Sequence, residues 1–181
     1  MLKHILFIII SLSGILLLAE APTTVEYVDL LRYQGTWYEI AKVPNRFQKV
    51  CAKNTTATYK LKEDGNISVI NRCIEKSGKV NDIEGVAKII DNKTNAKLAV
   101  SFVRFFWKNW FFGDYWILGI AEDYSWVVVG GPNPKYGWIL AREPSISEET
   151  MEMAYQIAEE KGYKREDFEL SVQELDVGKR K

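Results

Sequence analysis

At 181 residues, with 47% hydrophobic and 13% aromatic side chains, the chain is long enough for one domain with a full core and too short for two. Its 24 basic and 24 acidic residues cancel, which argues against nucleic acid as a partner. His4 is the only histidine, and Cys51 and Cys73 are the only cysteines. The commonest general base and the usual metal-ligating sets are therefore missing, and neither a metal, nor a cofactor, nor an enzymatic activity is expected.

Met1–Ala21 reads as a signal peptide. Lys3 and His4 form a short basic start, Ile5 to Leu18 is an apolar run, and Ala19-Glu20-Ala21 supplies small residues at an A-x-A spacing. Pro22 is a poor residue to follow a cleaved bond, so the cut site, and retention of the segment as an apolar anchor, both stay open. Removing the segment takes away Lys3, Glu20 and His4 and leaves 23 charges of each sign. Residues 22–181 are expected to form a single domain.

Val28-Asp29-Leu30-Leu31-Arg32-Tyr33 looks like a helical turn leading into Gly35-Thr36-Trp37-Tyr38-Glu39-Ile40-Ala41. A glycine ahead of large side chains permits a tight turn, and alternation then puts Trp37, Glu39 and Ala41 on one face. Eight short strands follow one another: Trp37–Val43, Thr55–Leu61, Ile67–Cys73, Ile83–Ile90, Lys97–Val103, Tyr115–Ile120, Ser125–Gly130 and Gly137–Arg142. Turns such as Glu63-Asp64-Gly65-Asn66 separate them, and the spacing leaves no room for crossover helices, so the sheet is antiparallel. Ser147 then caps a helix to about 161, with Met151, Ala154, Tyr155, Ile157 and Ala158 as its apolar stripe. A short ninth strand is expected at about 167–173, where Phe168, Leu170 and Val172 alternate with polar residues. Cys51 and Cys73 flank the second hairpin; in an exported chain one disulfide is the simplest arrangement, with two free thiols as the alternative.

Eight antiparallel strands hide their edges most completely by closing into an up-and-down β-barrel, at about 35–143, with the helix packed outside. The fold class is thus all-β. Strand parity brings Gly35, Trp37, the turn bearing Asp123 and Tyr124, and Arg142 to one end, the floor, where a guanidinium stacked on an indole would close the barrel. Alternation nominates Glu39, Ala41, Tyr59, Val69, Val100, Phe102, Tyr115, Ile117 and Trp138 as ligand-binding lining, although a one-residue register slip would exchange the faces. Glu39 is either a handle for a ligand head group or the partner of a structural water, the second being favoured. At the mouth, Phe105, Phe106, Trp107, Trp110 and Phe111 form an aromatic loop that either covers the barrel or touches a lipid surface, with Arg104 and Lys108 reaching phosphates.

Gly35-x-Trp37, Asp123-Tyr124 between the sixth and seventh strands, and Arg142 at the end of the eighth resemble the three signature regions of the lipocalin family. The resemblance covers roughly residues 28 to 174. The stretches Gly35–Ala41, Tyr115–Leu118 and Trp138–Pro144 are most similar to the bacterial lipocalins and animal apolipoprotein D. It implies a carrier or store of fatty acids, lysophospholipids or similar lipids, working in cell-envelope lipid handling. The implied partner is a hydrophobic small molecule or lipid; peripheral membrane contact, through the aromatic mouth loop, and a homodimer are compatible with the sequence. The protein is expected to be exported, to the periplasm or outer membrane of a bacterium or secreted otherwise. Many bacterial members carry a lipidated lipobox cysteine, and no cysteine lies near Ala19-Glu20-Ala21. The alternative is a lipid-modifying isomerase with a cysteine in the pocket.

Overall fold

The computed structural model describes residues 21–102, 104–105, 108–109 and 112–174. The signal-peptide reading thus falls outside the described residues except for Ala21, and residues 175–181 lie outside them as well.

Runs of β-branched and aromatic residues punctuated by Gly, Asn and Asp turns form eight consecutive barrel strands: β1 (Gly35–Lys42), β2 (Cys51–Leu61), β3 (Ile67–Glu75), β4 (Val80–Ile89), β5 (Lys97–Ser101), β8 (Gly113–Ile120), β9 (Trp126–Gly130) and β10 (Trp138–Ala141). Between β5 and β8 the chain makes a small separate hairpin of β6 (Arg104–Phe105) and β7 (Lys108–Asn109). Each barrel strand pairs antiparallel with the next, and β10 returns to β1, from Tyr38 opposite Ala141 to Lys42 opposite Trp138. Closure removes the free edges that an open eight-stranded sheet would expose.

β2 and β3 run longer than their sequence pattern suggested, because β2 begins at Cys51 and β3 continues to Glu75. The Cys51–Cys73 disulfide joins this extended pair at the mouth end, next to the loop that follows β1.

The C-terminal segment fills a seam. β1 pairs with β2 only from Gly35 to Tyr38, and beyond that point β11 (Glu169–Leu170) takes the same edge at Ala41 and Lys42. Ser171 N donates to Ile40 O at 2.9 Å and Asn54 N donates to Val172 O at 2.8 Å. Gln173 Nε2 donates to Glu39 O at 2.8 Å and to Thr55 O at 2.9 Å, bridging the two strands where they part. The expected edge strand therefore serves as a wedge that satisfies backbone groups the diverging strands leave open.

Two apolar layers result. Inside the barrel lie Trp37, Tyr59, Ile67, Val69, Leu98, Tyr115, Ile117, Val127, Val129 and Leu140. Outside, α2 (Glu148–Glu160), capped by Ser147 Oγ on Thr150 N at 3.1 Å, sets Ala154 and Ala158 against Ile40, Ala41, Leu118, Val128 and Ile139. β-Bulges shape this outer platform. The register shifts across Ile40 in β1 and across Leu118 in β8, so each strand there presents two successive residues, Ile40 with Ala41 and Leu118 with Gly119, to the helix side.

Candidate ligand site in the barrel

The floor is built on a short helix, α1 (Leu30–Tyr33), whose N-cap Asp29 accepts from Leu31 N at 2.8 Å. Gly35 follows with φ +96°, a left-handed conformation that a side chain would strain, and a Cβ there would lie 3.3 Å from Arg142 Nη1. The Arg142 guanidinium sits 3.8 Å from the centre of the Trp37 ring. Its Nη1 donates to Thr36 O at 2.9 Å, and Nη2 to the carbonyls of Arg32, Gln34 and Tyr33 at 2.7, 2.9 and 3.2 Å. One cation thus gathers the carbonyls that end α1, and desolvation holds its pKa below the usual arginine value.

The other floor turn is held from the same side. Tyr124, at φ 63°, accepts from Asp29 N at 2.8 Å and lies 4.1 Å beneath the Arg32 guanidinium. Asp123 Oδ1 accepts from Ser125 Oγ at 2.6 Å and Ser125 N at 2.9 Å, and the side-chain hydrogen bond, first, keeps the carboxylate's pKa low. Gly35, Trp37 and Arg142 therefore meet directly, Tyr124 joins them through α1, and Asp123 shapes the turn without touching Arg142.

Above Trp37 the interior carries three tyrosines. Trp37 Nε1 donates to Tyr33 O at 2.9 Å, and the Tyr33 ring centre lies 5.0 Å from that of Trp37 and 5.4 Å from that of Tyr59. Tyr59 Oη donates to Tyr115 Oη at 2.8 Å, and Tyr33 Oη and Tyr115 Oη share a hydrogen bond at 2.7 Å. Burial raises the pKa of all three hydroxyls, so each is protonated at neutral pH.

The wall of the barrel is apolar, and part of it stays accessible. Val69 and Ile117 are fully buried, while Ala57, Val100 and Trp138 pack on the inner cluster yet stay partly accessible. Ile83 and Asn71, opposite each other in β4 and β3, lie on the inward face by alternation from Ala87 and Val69. Phe102 lies over Gly85, where a Cβ would come within 2.6 Å of the ring, so only a glycine accepts an aromatic side chain there.

Ala41 does not line the interior. The bulge at Ile40 turns it outward, where it is buried against the outer cluster, and turns Lys42 inward in its place. Glu39 and Lys42 would face opposite sides of an unbulged strand; here Lys42 Nζ lies 3.1 Å from Glu39 Oε1. Ser171 Oγ donates to the same oxygen at 2.6 Å, and Gln48 Nε2 donates to Oε2. Gln48 Oε1 in turn accepts from Asn45 Nδ2 at 2.6 Å and Trp138 Nε1 at 3.1 Å. The buried carboxylate is therefore satisfied by protein donors that tie β1, the loop after it, β10 and the C-terminal segment at the mouth. Of the aromatic mouth residues, Phe106, Trp107, Trp110 and Phe111 lie outside the described residues, and Phe105 is placed only as part of β6.

Tyr33, Lys42, Gln48, Ser171 and Gln173 were not singled out from sequence. Tyr33 sits in a helical turn whose facing depends on how α1 crosses the floor. Lys42 takes its role from the bulge, Ser171 and Gln173 from the wedge, and Gln48 from the turn after β1 that Asn45 caps, none of which a pattern of alternation reveals.

A lipocalin-like domain model matches residues 28–173. Temperature-induced lipocalin-1 of Arabidopsis thaliana is 42% identical over 142 residues, 77% of this chain and 76% of that protein. The outer membrane lipoprotein Blc of Escherichia coli is 37% identical over 142 residues, 78% of this chain and 77% of that one. Insecticyanin from the tobacco hornworm shares the fold with a TM-score of 0.67 at 21% identity, over 83% of each chain. With its closed barrel, sealed floor and apolar interior, the chain belongs to the lipocalin family, whose members bind small hydrophobic ligands.

Proposed function

We propose that the protein carries or stores a lipid of the fatty-acid or lysophospholipid kind inside the barrel, as part of lipid handling at the cell envelope. The observation that carries this is the partly accessible apolar wall, with Ala57, Val100 and Trp138 on it, above a floor sealed by Trp37 and Arg142. Excluding water from such a wall stabilises a bound chain by about 25 cal/mol per Å² of apolar surface removed from water. The isomerase reading has no support from the cysteines, because both sulfurs are joined to each other. That disulfide favours an oxidising compartment, in keeping with export.

The charge pattern supports exchange of ligand at a membrane. The described mouth connections, 43–50, 76–79 and 131–137, hold Arg46, Lys49, Lys76, Lys79 and Lys135 and no acid. The floor turns, 62–66, 90–96 and 121–125, hold Glu63, Asp64, Asp91, Glu122 and Asp123 against Lys62 and Lys93. A chain of zero net charge is thus basic at its mouth and acidic at its floor, an orientation suited to an anionic lipid surface. Phe47, Val50, Val80 and Tyr136 add exposed apolar side chains at the same end. The outer wall suits an aqueous surround better than a bilayer, since Lys60 and Lys88 are exposed on it and Arg72 pairs with Asp82 at 2.7 Å.

The reading is tested by titrating the delipidated protein with a fluorescent fatty acid and competing it with a lysophospholipid. Micromolar or tighter binding that Val100→Trp weakens at least tenfold, by filling the inner wall, is expected. Absence of saturable binding, or binding that Val100→Trp leaves alone, would refute it.

A further inference from the structure

The three tyrosine hydroxyls at the bottom of the barrel hold three protons and share two hydrogen bonds. Tyr59 Oη spends its proton on Tyr115 Oη at 2.8 Å. The 2.7 Å bond between Tyr33 and Tyr115 uses the proton of one of them and leaves that of the other. If Tyr33 donates, the Tyr115 proton is left over; if Tyr115 donates, the Tyr33 proton is. Neither hydroxyl has a further hydrogen-bond acceptor among the described residues, and Tyr33, Tyr59 and Tyr115 are 1%, 4% and 8% exposed. A buried O–H without an acceptor has lost its bond to water with nothing in return, so a partner at this point would be strongly favoured.

We infer that the Tyr33–Tyr115–Tyr59 cluster is a recognition subsite for a neutral oxygen acceptor, such as a ketone, ether or hydroxyl, at the innermost end of the bound lipid. The inference rests on the carrier reading above and specifies what the ligand carries at its deep end.

Three features set the chemistry. The free group is a donor, so the ligand must offer an acceptor. The hydroxyls are held protonated by burial, and the neighbouring Arg142 guanidinium is committed to the carbonyls of Arg32, Tyr33, Gln34 and Thr36, so little at this point would compensate an anion for its lost hydration. The rest of the lower interior is Leu, Ile, Val and Trp, which leaves the cluster as the one described polar feature a ligand would meet there. A plain alkyl terminus would bury the spare proton unpaired; an oxygenated terminus would pair it.

The test compares 2-tridecanone with tridecane, a ketone and a hydrocarbon of matched length, as displacers of N-phenyl-1-naphthylamine from the wild type and from Tyr33→Phe/Tyr59→Phe/Tyr115→Phe. Removing all three hydroxyls together leaves no orphan among them and keeps ring volume, so the variant is expected to fold; its circular dichroism and melting check this. Comparing the ratio of the two displacers between proteins cancels their different hydration. The ketone-to-hydrocarbon ratio should fall roughly threefold to tenfold in the variant, the range of one net hydrogen bond, while tridecane binds as well or better. The ketone carbonyl stretch should also lie lower in the wild type than in the variant. An unchanged ratio with an unshifted stretch would overturn the subsite and leave the carrier reading standing. A wild type that binds neither compound would overturn the subsite, and one that also takes up no fluorescent fatty acid would overturn the carrier reading with it.

Discussion

At the floor, one guanidinium lies on one indole and collects four carbonyls, and every polar group it meets is a backbone oxygen, three at the end of α1 and one at the start of β1. At the mouth, the polar contacts run between side chains, Glu39 with Lys42, Gln48 and Ser171, and the surrounding loops expose Phe47, Val50 and Tyr136 beside a set of lysines and arginines. The floor joins α1, β1 and the end of β10 through contacts that leave little freedom, which suits a seal. The mouth joins elements that are far apart in sequence through long side chains that can rearrange, which suits an entrance.

The contrast is broken most forcefully at the indole. Trp37→Ala removes the plug and strands the Arg142 guanidinium, and is expected to cost about 3 to 5 kcal/mol in urea unfolding. An effect below 1 kcal/mol would mean that the floor is sealed by something else.

Alkaline pH tests the tyrosine layer next to it. Burial raises the folded-state pKa of Tyr33, Tyr59 and Tyr115 above the unfolded value of about 10. Below pH 10 both states keep the protons and stability does not depend on them. Above it the unfolded chain sheds protons that the folded chain retains, so stability falls as pH rises towards the folded values. Between pH 10 and 11 the three together are expected to lose about 3 kcal/mol, and the triple phenylalanine variant should be spared that loss.

At the other end, replacing Cys51 and Cys73 by serine opens a link spanning 22 residues and is expected to cost about 3 kcal/mol. Hydrogen exchange should rise first in the β2–β3 mouth end while the Trp37 indole stays protected. Uniform loosening of both ends would erase the contrast between them.

The gentlest change concerns the basic rim. Arg46→Gln with Lys49→Gln is expected to weaken association with anionic liposomes by about 2 kcal/mol at low salt, with no effect on neutral liposomes and little on melting. Loss of binding to both kinds of liposome alike would point to the apolar side chains instead.

The sequence makes the seal legible and the entrance only partly so. Gly35, Trp37 and Arg142 announce themselves because each has a rare chemical reason to be where it is and because strand parity alone carries them to one end. The inner and outer faces were harder. Strict alternation assigns Ala41 inward, yet an extra residue at Ile40 exchanges the faces for the rest of β1, and Leu118 does the same in β8. Both bulges serve the helix platform, a tertiary demand without a local sequence mark. One signal was present: Glu39 and Lys42 are complementary charges at a spacing that an unbulged strand would set on opposite faces. Gln173 and Ser171 were readable only as alternating residues of a final strand, since their partners lie more than a hundred residues away.

The most direct test of the carrier claim is native mass spectrometry of the mature protein purified from its own host, followed by denaturation and lipid extraction of the same sample. A bound increment of lipid size, released on unfolding and identified as a fatty acid, lysophospholipid or related chain, is the expected result. A bare protein mass, together with no uptake of such lipids when they are supplied, would contradict it.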